Sequence, residues 1–228
     1  MMTEEQIRER FEEYRDKLLD ECQYFVACVH ISSRLREQQI KEPKMFNTAS
    51  CFWGISMKSI FVSIVLWGEK LFGDHAKSKE MDLRKFLRFV ESNRTILFPT
   101  PIVDDEDEWS VTSADIKGHK EKLICLEGMV ALRRLRHKYY AHFDKEFFLD
   151  RKNLWRDVDV NFGALEKMGE VAQEILLHYS LAYDGIGLSI EVSNVDDVRD
   201  LFGLIERYFE RQRSERLKPD KKGRNDEK

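Results

Sequence analysis

The sequence predicts an all-α protein, a bundle of roughly four to six helices with an extra helix at its C-terminal end. Three observations carry this. The four prolines, Pro43, Pro99, Pro101 and Pro219, all fall between periodic segments, where helices tolerate a residue that lacks the amide proton of an interior turn. Apolar residues recur at the three-and-four spacing of a single helix face through most of the chain. Apolar residues make up 42% of the 228 and aromatics 11%, enough to build a core rather than remain disordered.

The first helix starts at Thr3, a capping residue with Gln6 completing a capping box. Ile7, Phe11, Tyr14, Leu18, Cys22, Phe25 and Val29 form its apolar face, and it ends before Pro43. Residues Phe46 to Phe72 are apolar nearly all the way round, through Phe52, Trp53, Ile55, Ile60, Phe61, Val62, Ile64, Val65 and Trp67. A helix of that kind should be covered on most sides, centrally in a bundle or at a subunit interface. It closes at Gly73. A shorter helix, about Met81 to Ser92, carries Leu83, Phe86, Leu87 and Val90, and FPTPIVDDEDEWS then makes an extended connection. Its acids, Asp104 to Glu108, lack the turn glycine and spacing of a calcium loop and read as solvated.

The next helix runs from about Ser113 to His142, and another from about Val160 to Tyr183 with Leu165, Met168, Ala172, Ile175, Tyr179 and Ala182 on one face. GIGLSIEVSN, residues 185–194, breaks the pattern and has room for a short strand. A last helix, about 196–217, is built on Val198, Leu201, Phe202, Ile205 and Phe209, and the charged KPDKKGRNDEK of 218–228 reads as a disordered tail. The expected organisation is one domain over 1–217, without internal repeats.

A formal net charge of −4 gives no whole-molecule attraction to nucleic acid or anionic lipid, so any such affinity must be local. Cys22, Cys28, Cys51 and Cys125 fall in apolar helical segments without the paired spacing of zinc sites or disulfide frameworks, and read as buried reduced thiols. TEEQIRERFEEYRDK is too acidic for a transit peptide, and the longest apolar run, SIFVSIVLWG, is about half a membrane span. The expectation is a soluble cytoplasmic protein with no membrane partner.

One local patch stands out: LRRLRHKYYAHFDKEFF, Leu132 to Phe148, concentrates cations in an otherwise acidic chain. On a helix, Cys125, Met129, Leu132, Leu135 and Tyr139 fall on one stripe, while Arg133, Arg134, His137 and Lys138 point elsewhere. Arg136 departs from the other charges, lying about 40° from the middle of the stripe. A guanidinium there must snorkel to water or find an acceptor. His142 would fall about 120° from Arg136, so one helix aims both groups at its packing partner but not at each other. A two-fold axis beside the stripe would let the Arg136 and His142 of two copies converge.

RHKYYAH, Arg136 to His142, resembles the R-x(4–6)-H motif of the HEPN superfamily, small helical-bundle domains that include many metal-independent ribonucleases of toxin–antitoxin, abortive-infection and CRISPR-linked systems. The wider LRHKYYAHFD is similar to the abortive-infection branch, with Ala141 before the histidine and Asp144 after it. The resemblance implies a homodimeric endoribonuclease. His142 would move the proton of the nucleophile or leaving oxygen, Arg136 would hold the non-bridging phosphate oxygens, and the products would be a 2′,3′-cyclic phosphate and a 5′-hydroxyl. His137 and Asp144 would be auxiliary, and Arg133, Arg134, Lys138, Tyr139, Tyr140 and Lys145 would contact RNA. An antitoxin or other regulatory protein is an implied partner. Relatives paired with a nucleotidyltransferase antitoxin often carry a modifiable tyrosine where this chain has Asp144, so that regulation is not implied here.

Other readings of the same residues stay open. Arg136 and His142 can serve to pin a helix C-terminus, where the dipole favours cations, and Tyr139 can be core. The chain can be a catalytically inert nucleotide- or protein-binding dimer, or a helical interaction protein without a site. His30, His75, His119 and His178 sit on separate segments, so no metal or cofactor is expected. The sequence also lacks a phosphate-cradling glycine loop, a G-x-S-x-G elbow and an H-E-x-x-H pair.

Overall fold

A computed structural model describes residues 2–73, 81–99, 110–136, 161–187 and 197–216. Among them are eight helices and no strand: α1 (Glu4–Lys41), α2 (Pro43–Thr48), α3 (Ser50–Phe72), α4 (Leu83–Leu97), α5 (Ser113–Ile124), α6 (Gly128–Leu135), α7 (Phe162–Asp184) and α8 (Asp197–Arg216). The all-α expectation is met. The chain divides into two units, Met1–Val192 with α1 to α7, and Ser193–Lys228 with α8.

The expected cap opens α1. Thr3 Oγ1 accepts from the Gln6 amide at 3.3 Å, and Gln6 Oε1 accepts from the Thr3 amide at 3.0 Å, so two amides that have no partner within the helix are satisfied together. One face of α1 then buries Ile7, Phe11, Leu18, Cys22, Phe25 and Val29 against α3, α4 and α7. Phe11, fully buried, lies 5.6 Å from the Phe86 ring and 4.6 Å from that of Tyr183. Burying a side chain of this size stabilises by about 1.5–3 kcal/mol, which makes α1 the spine of the first unit.

The helix expected over Phe46 to Phe72 is divided at Ala49, whose backbone (φ −128, ψ 46) is not helical. Its covering is also uneven. Phe61, Ile64, Val65, Leu71 and Phe72 are buried in the C-terminal part of α3, whereas Phe52 and Ile55, at 61% and 63% exposure, stand open near its start. By length and composition α3 could cross a membrane.

The helix expected from Ser113 to His142 is not continuous over its described part: α5 stops at Ile124 and α6 begins at Gly128. The apolar pattern explains the break. At 100° per residue, Met129, Leu132 and Leu135 fall about 180° from Ile116, His119 and Leu123, so a straight helix could bury only one set. With the break both sets are buried, α5 against α4 and α7 and α6 against α3 and α7. Cys125, expected on the α6 stripe, sits in the break and is exposed.

Asp82 caps α4 through the Lys85 amide, and Thr112 with Asp115 forms a capping box on α5. Asn93 (φ −121, ψ 16) interrupts α4 just past the expected end at Ser92. Gly185 closes α7 at φ 70, a left-handed turn that strains any residue with a Cβ. α8 carries Val198, Leu201, Phe202, Ile205 and Phe209 at helical spacing.

The cysteines divide. Cys22 is buried and Cys28 partly so, but Cys51 and Cys125 are exposed, against the expectation that all four are buried. The acidic run Asp104 to Glu108, the tail 218–228 and residues 188–194 of the expected strand segment lie outside the described residues.

Candidate active site around Arg136

The site begins with the packing of α6 on α3. Gly68 lies within that packing: a Cβ there would lie 2.7 Å from Leu132 Cδ1 and 3.0 Å from Phe25 Cε2. Only a residue without a side chain admits α1 and α6 so near α3 at once. Leu132, held at this point, is one turn before Arg136, so the packing fixes where the arginine leaves the helix.

Arg136 stands at the C-cap of α6, its amide bonded to the carbonyls of Leu132 and Arg133. Its Nη1 donates to Glu69 Oε1 on α3 at 3.1 Å. The two side chains differ in burial, 35% exposed for Arg136 and 6% for Glu69. The guanidinium near the apolar stripe has therefore found an acceptor within its own chain. Arg133 and Arg134 are exposed, as a solvated helix face requires.

Glu69 is absent from the candidates read off the sequence, although a signal for it exists. It is the single acid between Pro43 and Gly73. A carboxylate in an apolar helix must meet a cation or donors, because an unpaired buried charge is costly. A second buried acid, Glu21 of α1, forms an ion pair with Lys70 of α3, whose ammonium lies 4.6 Å from the centre of the Trp67 ring. The α1–α3–α6 seam thus matches two buried carboxylates with two cations from neighbouring helices.

His142, His137, Lys138, Tyr139, Tyr140, Asp144 and Lys145 lie outside the described residues. Of the ten site candidates, the described residues therefore hold Arg133, Arg134 and Arg136.

His119 and His178, expected to be isolated, are neighbours. Their rings are 5.0 Å apart, and His119 Nδ1 lies 3.0 Å from the Tyr179 hydroxyl, joining α5 to α7. Burial holds both imidazoles below their ordinary pKa and pushes the Tyr179 hydroxyl up. Among the described residues no three side chains of His, Cys, Asp or Glu are grouped to hold a metal ion.

No curated protein and no solved structure matches the chain. A family model does match, that of the HEPN AbiU2 family, over residues 5–201. The match spans the helices of the first unit, including the α3–α6 seam that holds Arg136, and it agrees with the helical fold and with the superfamily that the sequence resembles. The chain belongs to the HEPN AbiU2 family, an abortive-infection-type branch of the HEPN superfamily.

Proposed function

We propose that this protein is a metal-independent endoribonuclease, a cytoplasmic homodimer that acts as the toxic effector of an abortive-infection or toxin–antitoxin module. The observation that carries the reading is Arg136 itself. It ends α6 with one nitrogen tied to Glu69 and the side chain 35% exposed, so a phosphate can reach the rest of its donors. Family membership gives the R-x(4–6)-H spacing of Arg136 and His142 its meaning.

RNA supplies its own nucleophile. The 2′-hydroxyl loses its proton to a base and attacks the adjacent phosphorus, a phosphorane forms, and the 5′-oxygen leaves with a proton. His142 serves in proton transfer because imidazole titrates near neutral pH. Arg136 lowers the energy of the phosphorane by holding its non-bridging oxygens, where charge accumulates. Arg133 and Arg134 follow the backbone, together with Lys138, Tyr139, Tyr140 and Lys145. His137 and Asp144 assist, and an antitoxin or other regulatory protein restrains the activity.

The open face of α3 supports a dimer. Phe52, Ile55, Ser59, Val62 and Leu66 follow one another at three-and-four spacing, and Phe52, Ile55 and Leu66 are all exposed. Such a seam suits a copy of itself across a two-fold axis. A second reading keeps the dimer and makes it an inert binder, with the Arg136–Glu69 pair as a structural brace.

One assay separates them. The protein is incubated with single-stranded RNA in EDTA, and the ends are analysed. Cyclic-phosphate ends whose formation falls sharply in Arg136→Ala and His142→Ala proteins support the nuclease; RNA left intact at all enzyme concentrations sinks it.

A further inference from the structure

We infer that Glu69 is a positioning residue for the reaction: buried in α3, it fixes the guanidinium of Arg136 so that the remaining fork edge meets the phosphate. The inference rests on the nuclease reading above and adds to it a residue outside the motif. It starts from the asymmetry of the pair. Glu69 is almost entirely buried while Arg136 is open at one side, so the carboxylate is the fixed member and the guanidinium the one that faces substrate.

The surroundings hold Glu69 in place. It follows Gly68, where Leu132 and Phe25 close on the backbone of α3. α6 is thereby held at two points one turn apart, Leu132 on Gly68 and Arg136 on Glu69. An arginine side chain has four rotatable bonds, and a free one would spend most of its time away from any single phosphate position. One ionic hydrogen bond from Nη1, 3.1 Å long, removes much of that freedom and leaves donors on Nη2 and Nε for a planar two-oxygen contact.

The opposite effect is the natural rival. A carboxylate could instead sequester the arginine, in which case removing its charge would speed cleavage. The two differ in sign. The test uses the full-length dimer and four proteins: wild type, Glu69→Gln, Arg136→Ala and the double variant. Glutamine keeps the size and an acceptor oxygen while losing the charge, and circular dichroism and thermal melting confirm that each variant is folded.

For Glu69→Gln, kcat should fall about 10- to 100-fold, the scale of a small misplacement of a catalytic group, with KM for RNA nearly unchanged. In the Arg136→Ala background the same change should alter the residual rate by less than about twofold, because the partner it positions is gone. A wild-type or faster rate in folded Glu69→Gln overturns the inference, and so does an equal loss with or without Arg136; in both cases the nuclease reading stands. A wild-type protein that leaves RNA uncut overturns that reading and this inference together.

Discussion

Gly68→Ala tests whether α6 is seated on α3 as tightly as the structure has it. Two effects oppose each other. Alanine is the better helix former by about 1 kcal/mol in a helix interior. Against this, the added Cβ would meet Leu132 Cδ1 at 2.7 Å and Phe25 Cε2 at 3.0 Å. Leu132 and Phe25 are both fully buried, so neither has open space to rotate into, and overpacking of this kind costs about 1–3 kcal/mol. The expected net result is a loss of about 1 kcal/mol, which for a unit of this size lowers the melting temperature by about 2–4 °C. The second half of the test removes the obstacle. Leu132→Ala alone should cost about 2–5 kcal/mol, and Gly68→Ala should be better tolerated in that background by about 1–2 kcal/mol. Urea unfolding of the four proteins measures the cycle. A Gly68→Ala protein more stable than wild type, or strict additivity with Leu132→Ala, would refute the close seating.

Three further outcomes follow from particular side chains. Because burial lowers the pKa of His119 and His178 in the folded protein, the unfolded chain binds more protons; their contribution is intact above about pH 6.5 and is lost as pH falls through the folded values, at no more than about 1.4 kcal/mol per pH unit for each. Urea midpoints between pH 7.5 and 5 should show this slope, and His178→Gln should flatten it. Phe52→Glu with Ile55→Glu should convert the proposed dimer to folded monomers in sedimentation velocity, and a dimer that survives both would remove α3 from the interface. Cys51 and Cys125 are exposed and should react with a thiol reagent in the native protein, whereas Cys22, buried and with its thiol pushed up to about 12, should react only after unfolding.

What was legible in the sequence is what depends on neighbours along the chain. The Thr3–Gln6 capping box, the α1 face from Ile7 to Val29, the α7 face from Leu165 to Tyr179 and the closure of α3 at Gly73 are all local, and the structure has each of them. The break between α5 and α6 is hidden because the stripe through Met129, Leu132 and Leu135 is by itself a complete helical pattern; extended backwards, it leaves Ile116 and Leu123 on the wrong side. The proximity of His119 to His178 and of Arg136 to Glu69 was not legible, since these pairs are brought together only by packing of α5 on α7 and of α6 on α3. Of the candidate site, the need of Arg136 for an acceptor could be read from its place near an apolar stripe, but not which residue would supply it.

The apolar length of α3 raises a question that its residues answer. A helix crossing a membrane would have to give up the burial of Trp53, Phe61, Ile64, Val65, Leu71 and Phe72 inside the bundle, each worth about 1.5–3 kcal/mol in water. Lipid would return that apolar term, so burial alone does not decide the matter. The charges do. Glu69 and Lys70 are matched by Arg136 and Glu21 from α6 and α1, and drawing α3 into lipid would break both pairs and leave the buried Glu21 without its counter-charge. The Gly68 contact with Phe25 and Leu132 would be lost as well. In the proposed dimer α3 would serve two protein faces: a C-terminal part that packs into the bundle and carries Glu69 to Arg136, and an N-terminal part whose exposed Phe52 and Ile55 continue the same apolar character outward. A helix with one face in its own core and another in a partner's needs to be apolar nearly all round.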